Sequence, residues 1–243
     1  MAAKRKPVTR ADHDRLFFTR WVLFLLVANE AAGLPEVSRQ RLHALLFMSF
    51  ASSRYYSIEP LRQRARRTPQ GPYYRHAHVA LGGLVLGGMV SVDEFRAHPA
   101  LRDLQFEGVF RPTLKGLDVA RIMRETVTGA RLYRFLLDMC LASAYTTTSY
   151  RTHSDATGEN GKLGMGLEDA ALDKILESDL TYRRAIRRYG DTLELQDAPG
   201  EQTPTVEGLS SIERRLEQQG AYNRKDVVAA YQTLLMRRSG EAA

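Results

Sequence analysis

The chain has 243 residues and a formal net charge of +7, with ordinary apolar and charged fractions and a single cysteine, Cys140. That length supports one large or two modest domains with a real core, and one thiol excludes an internal disulfide framework. The basic balance admits a nucleic acid, an acidic protein surface or an anionic membrane as partner without choosing among them.

Residues 1–13 are basic and polar and read as a flexible arm. The start, Lys4-Arg5-Lys6 with Trp21–Ala28 beyond, has the outline of a signal peptide. Arg20 interrupts the apolar run, however, and the flanks Asp12 and Asp14 are acidic. No apolar run reaches the roughly 20 residues of a membrane span, so the expectation is a soluble, cytoplasmic protein.

From Asp12 or Asp14 to Ala32 the pattern predicts a helix that is apolar nearly all round, with Phe18, Trp21, Phe24 and Leu25 among its residues. Either a large core or a partner must cover it. Gly33-Leu34-Pro35 stops this helix, and Ser38 can cap the next, Arg39 to about Ser53. Pro60 to Gln70 is arginine-rich and reads as a short helix or loop. A second arginine cluster, Arg183, Arg184, Arg187 and Arg188, comes much later.

Gln70 to Gly116 organises the rest. Gly71-Pro72 marks a turn, a helix follows over about Tyr73–Leu86, and Gly87-Gly88 stops it. Met89–Val92 and Phe106–Phe110 alternate as strands, and Thr113 can cap a new helix. Helix, strand, connection, strand and helix is the layout of a winged helix. The expected fold is therefore mainly α, a winged-helix core with a small β-wing plus a C-terminal helical extension. The glycines Gly82-Gly83 and Gly87-Gly88 would permit another backbone to approach closely. They do not make a phosphate-binding loop, because Gly88 stands where a Walker motif has its lysine.

Beyond Thr113 the pattern predicts one long helix to about Ala144, with Arg121, Arg124, Arg131 and Arg134 on its polar side and Gly129 as an interruption. The polar, glycine-rich stretch 146–166 reads as a linker, so the expected division is a winged-helix domain over 14–145 and a helical region over 167–243. Leu167–Tyr189 reads as one helix ended by Gly190, Asp191–Glu207 as an acidic linker with a short strand at Thr192–Leu195, and Ser210–Gln219 with Arg224–Arg238 as a helix pair. Asn223 and Asp226 have the spacing of a capping box.

Chemistry is scarce. His76 and His78 are two apart and no carboxylate or cysteine cluster completes a metal site, while His153-Ser154-Asp155 are consecutive and cannot form a relay. The expectation is no cofactor, no metal and no catalytic centre. Residues expected to meet nucleic acid or an acidic partner are Arg62, Arg64, Arg66, Arg67, Arg75, Arg111 and Lys115. Partner docking is expected at Trp21, Phe24 and Leu25 on the first helix and at Val227, Tyr231 and Leu234 on the last.

Three segments together, Leu42-His43-Ala44-Leu45-Leu46-Phe47, Gly71-Pro72-Tyr73-Tyr74 and Ala80-Leu81 through Gly88-Met89-Val90, resemble a pattern in small winged-helix proteins of bacterial conflict systems. The chain looks like the middle component of ABC three-component systems, of which the Lamassu-type anti-phage systems are a branch. The resemblance covers about residues 14–125, with Ala44 where the pattern often has lysine and Tyr74 where serine is common. It implies a non-catalytic scaffold subunit that assembles with an SMC-like ATPase and a nuclease or other effector and could touch the DNA backbone. Two other readings stay open, a winged-helix DNA-binding transcriptional regulator and an enzyme whose site has no linear motif.

Overall fold

A computed structural model describes residues 10–60, 64–99, 104–157, 167–195, 200–218 and 220–241. Helix α1 (Arg10–Ala31) is the central rod. Phe18, Trp21, Val22, Phe24, Leu25 and Leu26 are all buried on it, because α3, α4 and α5 cover different sides. Gly33, at φ +70°, takes the left-handed turn that ends it. Strand β1 (Val37–Ser38) leads into α2 (Arg39–Ser52), whose first turn is capped as expected by the Ser38 hydroxyl accepting from the Arg41 N–H at 3.1 Å.

Helix α3 (Arg75–Leu86) follows a hairpin formed by β2 (Ala65–Thr68) and β3 (Gly71–Tyr73). The wing strands are β4 (Val90–Pro99) and β5 (Leu104–Pro112), and α4 (Leu114–Met123) closes the unit. The antiparallel sheet has the order β1-β5-β4, with Val37 and Val92 both opposite Phe110. Helix, strand, helix, helix, strand, strand is the winged-helix arrangement, with α3 as the second helix of its helix-turn-helix. Gly88 turns at φ +66° after α3, and the Thr113 hydroxyl accepts from the Gly116 N–H at 3.2 Å while donating to the Gly88 carbonyl at 2.7 Å. A Cβ on Gly116 would collide with the Met89 carbonyl, so glycine is required where α4 meets the wing.

Four expectations need correction. Within the arginine-rich stretch before Gly71, Ala65–Thr68 is a strand, one arm of the β2–β3 hairpin, while residues 61–63 lie outside the described residues. The other edge of this strand pairs with β6 (Thr192–Leu193), more than a hundred residues away. The long helix after Thr113 breaks at Arg124–Thr126, so that α5 (Val127–Thr157) starts afresh. Thr126 caps it at Gly129, and a Cβ there would collide with the Met123 carbonyl. Leu167–Tyr189 is two helices, α6 (Leu167–Ser178) and α7 (Leu180–Tyr189), separated at Asp179. Finally, no linker begins at Thr146: α5 runs on to Thr157, and the hydroxyls of Ser143, Thr146 and Thr148 donate to carbonyls one turn back, which lets polar residues sit inside a helix. Residues 158–166 of the expected linker lie outside the described residues.

The remaining helices are α8 (Pro204–Glu217) and α9 (Arg224–Glu241). They are not a detached pair. One continuous apolar cluster runs from Trp21 and Phe50 through Phe135 and Ile175 to Val206, Val227 and Leu235. The described helices on either side of residues 146–166 thus share one apolar core. Within the acidic stretch before α8, Thr192–Leu193 and Thr203 join this body. Thr203 caps α8 at Val206 and donates its hydroxyl to the Ala51 carbonyl at 2.5 Å.

A buried polar knot ties the C-terminal helices together. Fully buried Asp179 accepts from the Tyr182 N–H at 3.0 Å, the Thr205 hydroxyl at 2.7 Å and the Tyr231 hydroxyl at 2.9 Å. Thr181 and Thr205 share a further 2.6 Å hydrogen bond. Desolvation pushes the Asp179 carboxyl above the ordinary carboxylate range, and the hydrogen bonds from Thr205, Tyr182, Tyr231 and the Thr181 backbone pull the other way.

Candidate functional site

In a winged helix that reads DNA directly, the second helix of the helix-turn-helix brings several donors and acceptors to base edges. The outer surface of α3 is built differently. Arg75 and His76 are exposed at its start, and Val79 and Leu86 are exposed further along, Leu86 to 92%. Spacings of four and three residues place Val79, Gly83 and Leu86 along one face. A Cβ at Gly83 would meet no other atom of the described chain within 4 Å. The close approach that this glycine permits is therefore not made by the backbone of the described residues. Leu114, 82% exposed, stands nearby, because Thr113 and Lys115 are bonded to the Gly88 and Gly87 carbonyls at the end of α3.

Beneath α3 the packing is polar and enclosed. The Tyr74 N–H donates to Nδ1 of fully buried His43 at 3.2 Å, and the His43 ring lies 5.0 Å from Tyr73 and 6.4 Å from His78. Desolvation, aided by the charges of His78 and Arg39, lowers the His43 pKa to about 3. The imidazole is neutral at physiological pH and serves as an acceptor that anchors the start of α3.

Most cations expected at a contact surface already have partners. Arg64 pairs with Glu194 at 2.8 Å across β2 and β6. Arg111 is held between Glu36 at 3.0 Å and Asp93 at 2.8 Å. Lys115 donates to the Gly87 carbonyl at 2.8 Å and so caps α3. Arg66 and Arg67 are exposed on β2, and the Arg67 N–H donates to the Asp191 carbonyl at 2.7 Å. This pairing brings the first arginine cluster to the end of α7, which carries the second. Arg75 is exposed on α3, and Arg62 lies outside the described residues.

The docking residues require correction. Trp21, Phe24, Leu25 and Val227 are fully buried in the chain's own core, and Tyr231 is spent on Asp179. No partner reaches them in this fold. Of the six, Leu234 is exposed, to 39%. The all-round apolar α1 is explained by the intramolecular helices that enclose it.

Among the described residues no group of three or more His, Cys, Asp or Glu side chains could hold a metal ion. Burial pushes the Cys140 thiol up to about 12, which leaves it an inert core residue. His76 is exposed and stacks on Phe18 while His78 is buried, so the two histidines face different surroundings. No described helix is long and apolar enough to cross a membrane. No protein-family model, curated protein or solved structure matches this chain.

Proposed function

We propose that this chain is a non-catalytic accessory subunit that docks on a partner protein through the outer face of α3. One observation carries the reading: the helix placed to read DNA presents Val79, Gly83 and Leu86, with open space above the glycine. An apolar ridge with a small residue at its centre suits the close packing of a partner helix, whereas base recognition needs polar side chains. The winged-helix core and the resemblance of its motifs to the middle component of ABC three-component systems suggest which partners. They would be an SMC-like ATPase and an effector such as a nuclease, in a Lamassu-type anti-phage complex in a bacterial cytoplasm.

Co-expression with the products of the adjacent genes tests this. The chain is expected to co-purify with an SMC-like ATPase, and Val79→Glu with Leu86→Glu to abolish that complex while leaving the thermal melt unchanged. Co-purification that survives both substitutions would remove α3 from the interface, and a chain that recovers no such ATPase would overturn the reading.

A transcriptional regulator is the second reading, favoured by the exposed Arg75 and His76 at the start of α3 beside the β4–β5 wing. Enrichment of one motif in a binding-site selection would establish it over the first.

A further inference from the structure

Two adjoining cavities lie along the seam between α5 and α9. The first, of about 580 Å³, is lined by Tyr56, Arg131, Arg134, Asp138, Arg224 and Lys225. The second, of about 1080 Å³, shares Leu141 and Lys225 with it and is lined by Tyr145, Leu216, Ala229 and Leu234 together with Arg215 and Arg237. Tyr145 is 63% exposed there.

Four cations and one carboxylate surround the first cavity. Asp138 is engaged by the Tyr56 hydroxyl at 3.2 Å and lies in the field of Arg134, Lys225 and Arg224, although among the described residues none of these three cations forms a direct ion pair. Two of the guanidinium groups are already positioned. Arg131 donates to the Tyr56 carbonyl at 3.1 Å, and Arg224 lies over the rings of Tyr55 and Tyr56 at 5.6 and 5.3 Å. Arginine held in this way loses little freedom when it meets a phosphate. The first turn of α9 also starts at this cavity, where the Asn223 N–H is already taken by the carboxylate of Asp226, which lines the second cavity.

We propose that this seam binds single-stranded nucleic acid, with backbone phosphates in the cation-lined cavity and a base against Tyr145 in the neighbouring one. Sites for single strands combine a cationic track with an aromatic platform, which is the pairing found here. A duplex keeps its bases stacked inside and would leave the apolar cavity unused. An acidic protein helix spreads its carboxylates along the flanks of an apolar stripe, so it brings less charge to one point than a strand with a phosphate on every nucleotide. The inference extends the accessory-subunit reading by giving the chain its own contact to nucleic acid. The two can fail separately, since docking through α3 is judged by co-purification.

The test is fluorescence anisotropy of the full chain with a labelled oligothymidylate of about 15 nucleotides. Binding is expected at about 50 mM salt and should weaken roughly 20-fold at about 200 mM if three phosphates are neutralised. Arg134→Glu with Lys225→Glu should reduce affinity at least about tenfold, and Tyr145→Ala by about fivefold or more. Arg64→Glu with Arg66→Glu serves as the comparison and should change it by less than about twofold. Circular dichroism melts confirm that each variant is folded. Absence of binding at low salt, equal losses from the two arginine variants, or indifference to Tyr145→Ala would overturn the proposal. So would a duplex of the same length that binds as tightly, or polyglutamate that competes as well as the oligonucleotide.

Discussion

The winged-helix unit and the α5–α9 seam are both rich in arginine, yet they use it in opposite ways. In the first, Arg39, Arg64 and Arg111 each meet a carboxylate within 3.0 Å, so the positive charge is matched locally and serves the fold. Along the seam, Arg131, Arg134, Arg224 and Lys225 converge on a cavity with one carboxylate, Asp138, which is hydrogen-bonded to Tyr56. Net charge therefore says less about where an anion would bind than the distribution of acidic neighbours does. The two regions also differ in their buried polar anchors, a neutral histidine under α3 and a carboxylate among α6, α8 and α9.

The largest expected effect breaks the second anchor. Asp179→Ala leaves the Thr205 and Tyr231 hydroxyls and the Tyr182 N–H buried without their acceptor. The loss should be about 3–5 kcal/mol by denaturant unfolding. Hydrogen exchange should accelerate in α7 and α9 before α2 and α3. A loss below about 1 kcal/mol would show that the knot does not hold the C-terminal helices.

A pH titration separates the two anchors next, because their signs are opposed. His43 has a folded pKa lowered to about 3 from an ordinary 6.5, so its contribution is complete above 6.5 and lost as pH falls towards 3. Protonation at Nδ1 would also remove the acceptor of the Tyr74 N–H. Between about pH 6.5 and pH 4.5 this amounts to roughly 2 kcal/mol. Asp179 has a raised pKa, so its contribution is complete below the ordinary carboxylate value and is lost as pH rises through the folded one. Unfolding free energies across this range should lose their acid-side slope in His43→Gln, and an unchanged slope would dismiss His43 as its source.

The smallest effect addresses the arginines themselves. Arg111→Gln removes exposed ion pairs to Glu36 and Asp93 and should destabilise by no more than about 1 kcal/mol, less at high salt. Arg134→Gln removes one of four cations gathered around a single carboxylate, Asp138, and should change stability by no more than a few tenths of a kcal/mol. If both substitutions destabilised equally in parallel melts, the contrast between matched and unmatched arginine would fail.

Local signals in the sequence placed several element ends, although α8 starts at Pro204 rather than at the expected Ser210. Ser38 and Thr113 cap helices, Gly33, Gly88 and Gly190 turn with positive φ, and the Asn223 and Asp226 side chains each accept from the other's backbone N–H, at 3.1 and 3.0 Å. The β2–β3 hairpin was not legible, since Arg66 and Arg67 carry no apolar alternation and the strand depends on β6 for its outer partner. Arg131 and Arg134 were visible as a helical arginine face, but nothing near them in the chain connects them to Arg224 and Lys225.

By itself, then, the sequence determined the caps, the glycine turns and the winged-helix order, because capping, glycine conformation and apolar periodicity act over a few residues. The tertiary structure alone decided that α1 is enclosed by the chain's own helices, that the C-terminal helices share one core with the wing, and which arginines are matched by acids. Those outcomes depend on which residues distant in sequence are brought into contact, and burial and Coulomb interactions act on distance in space.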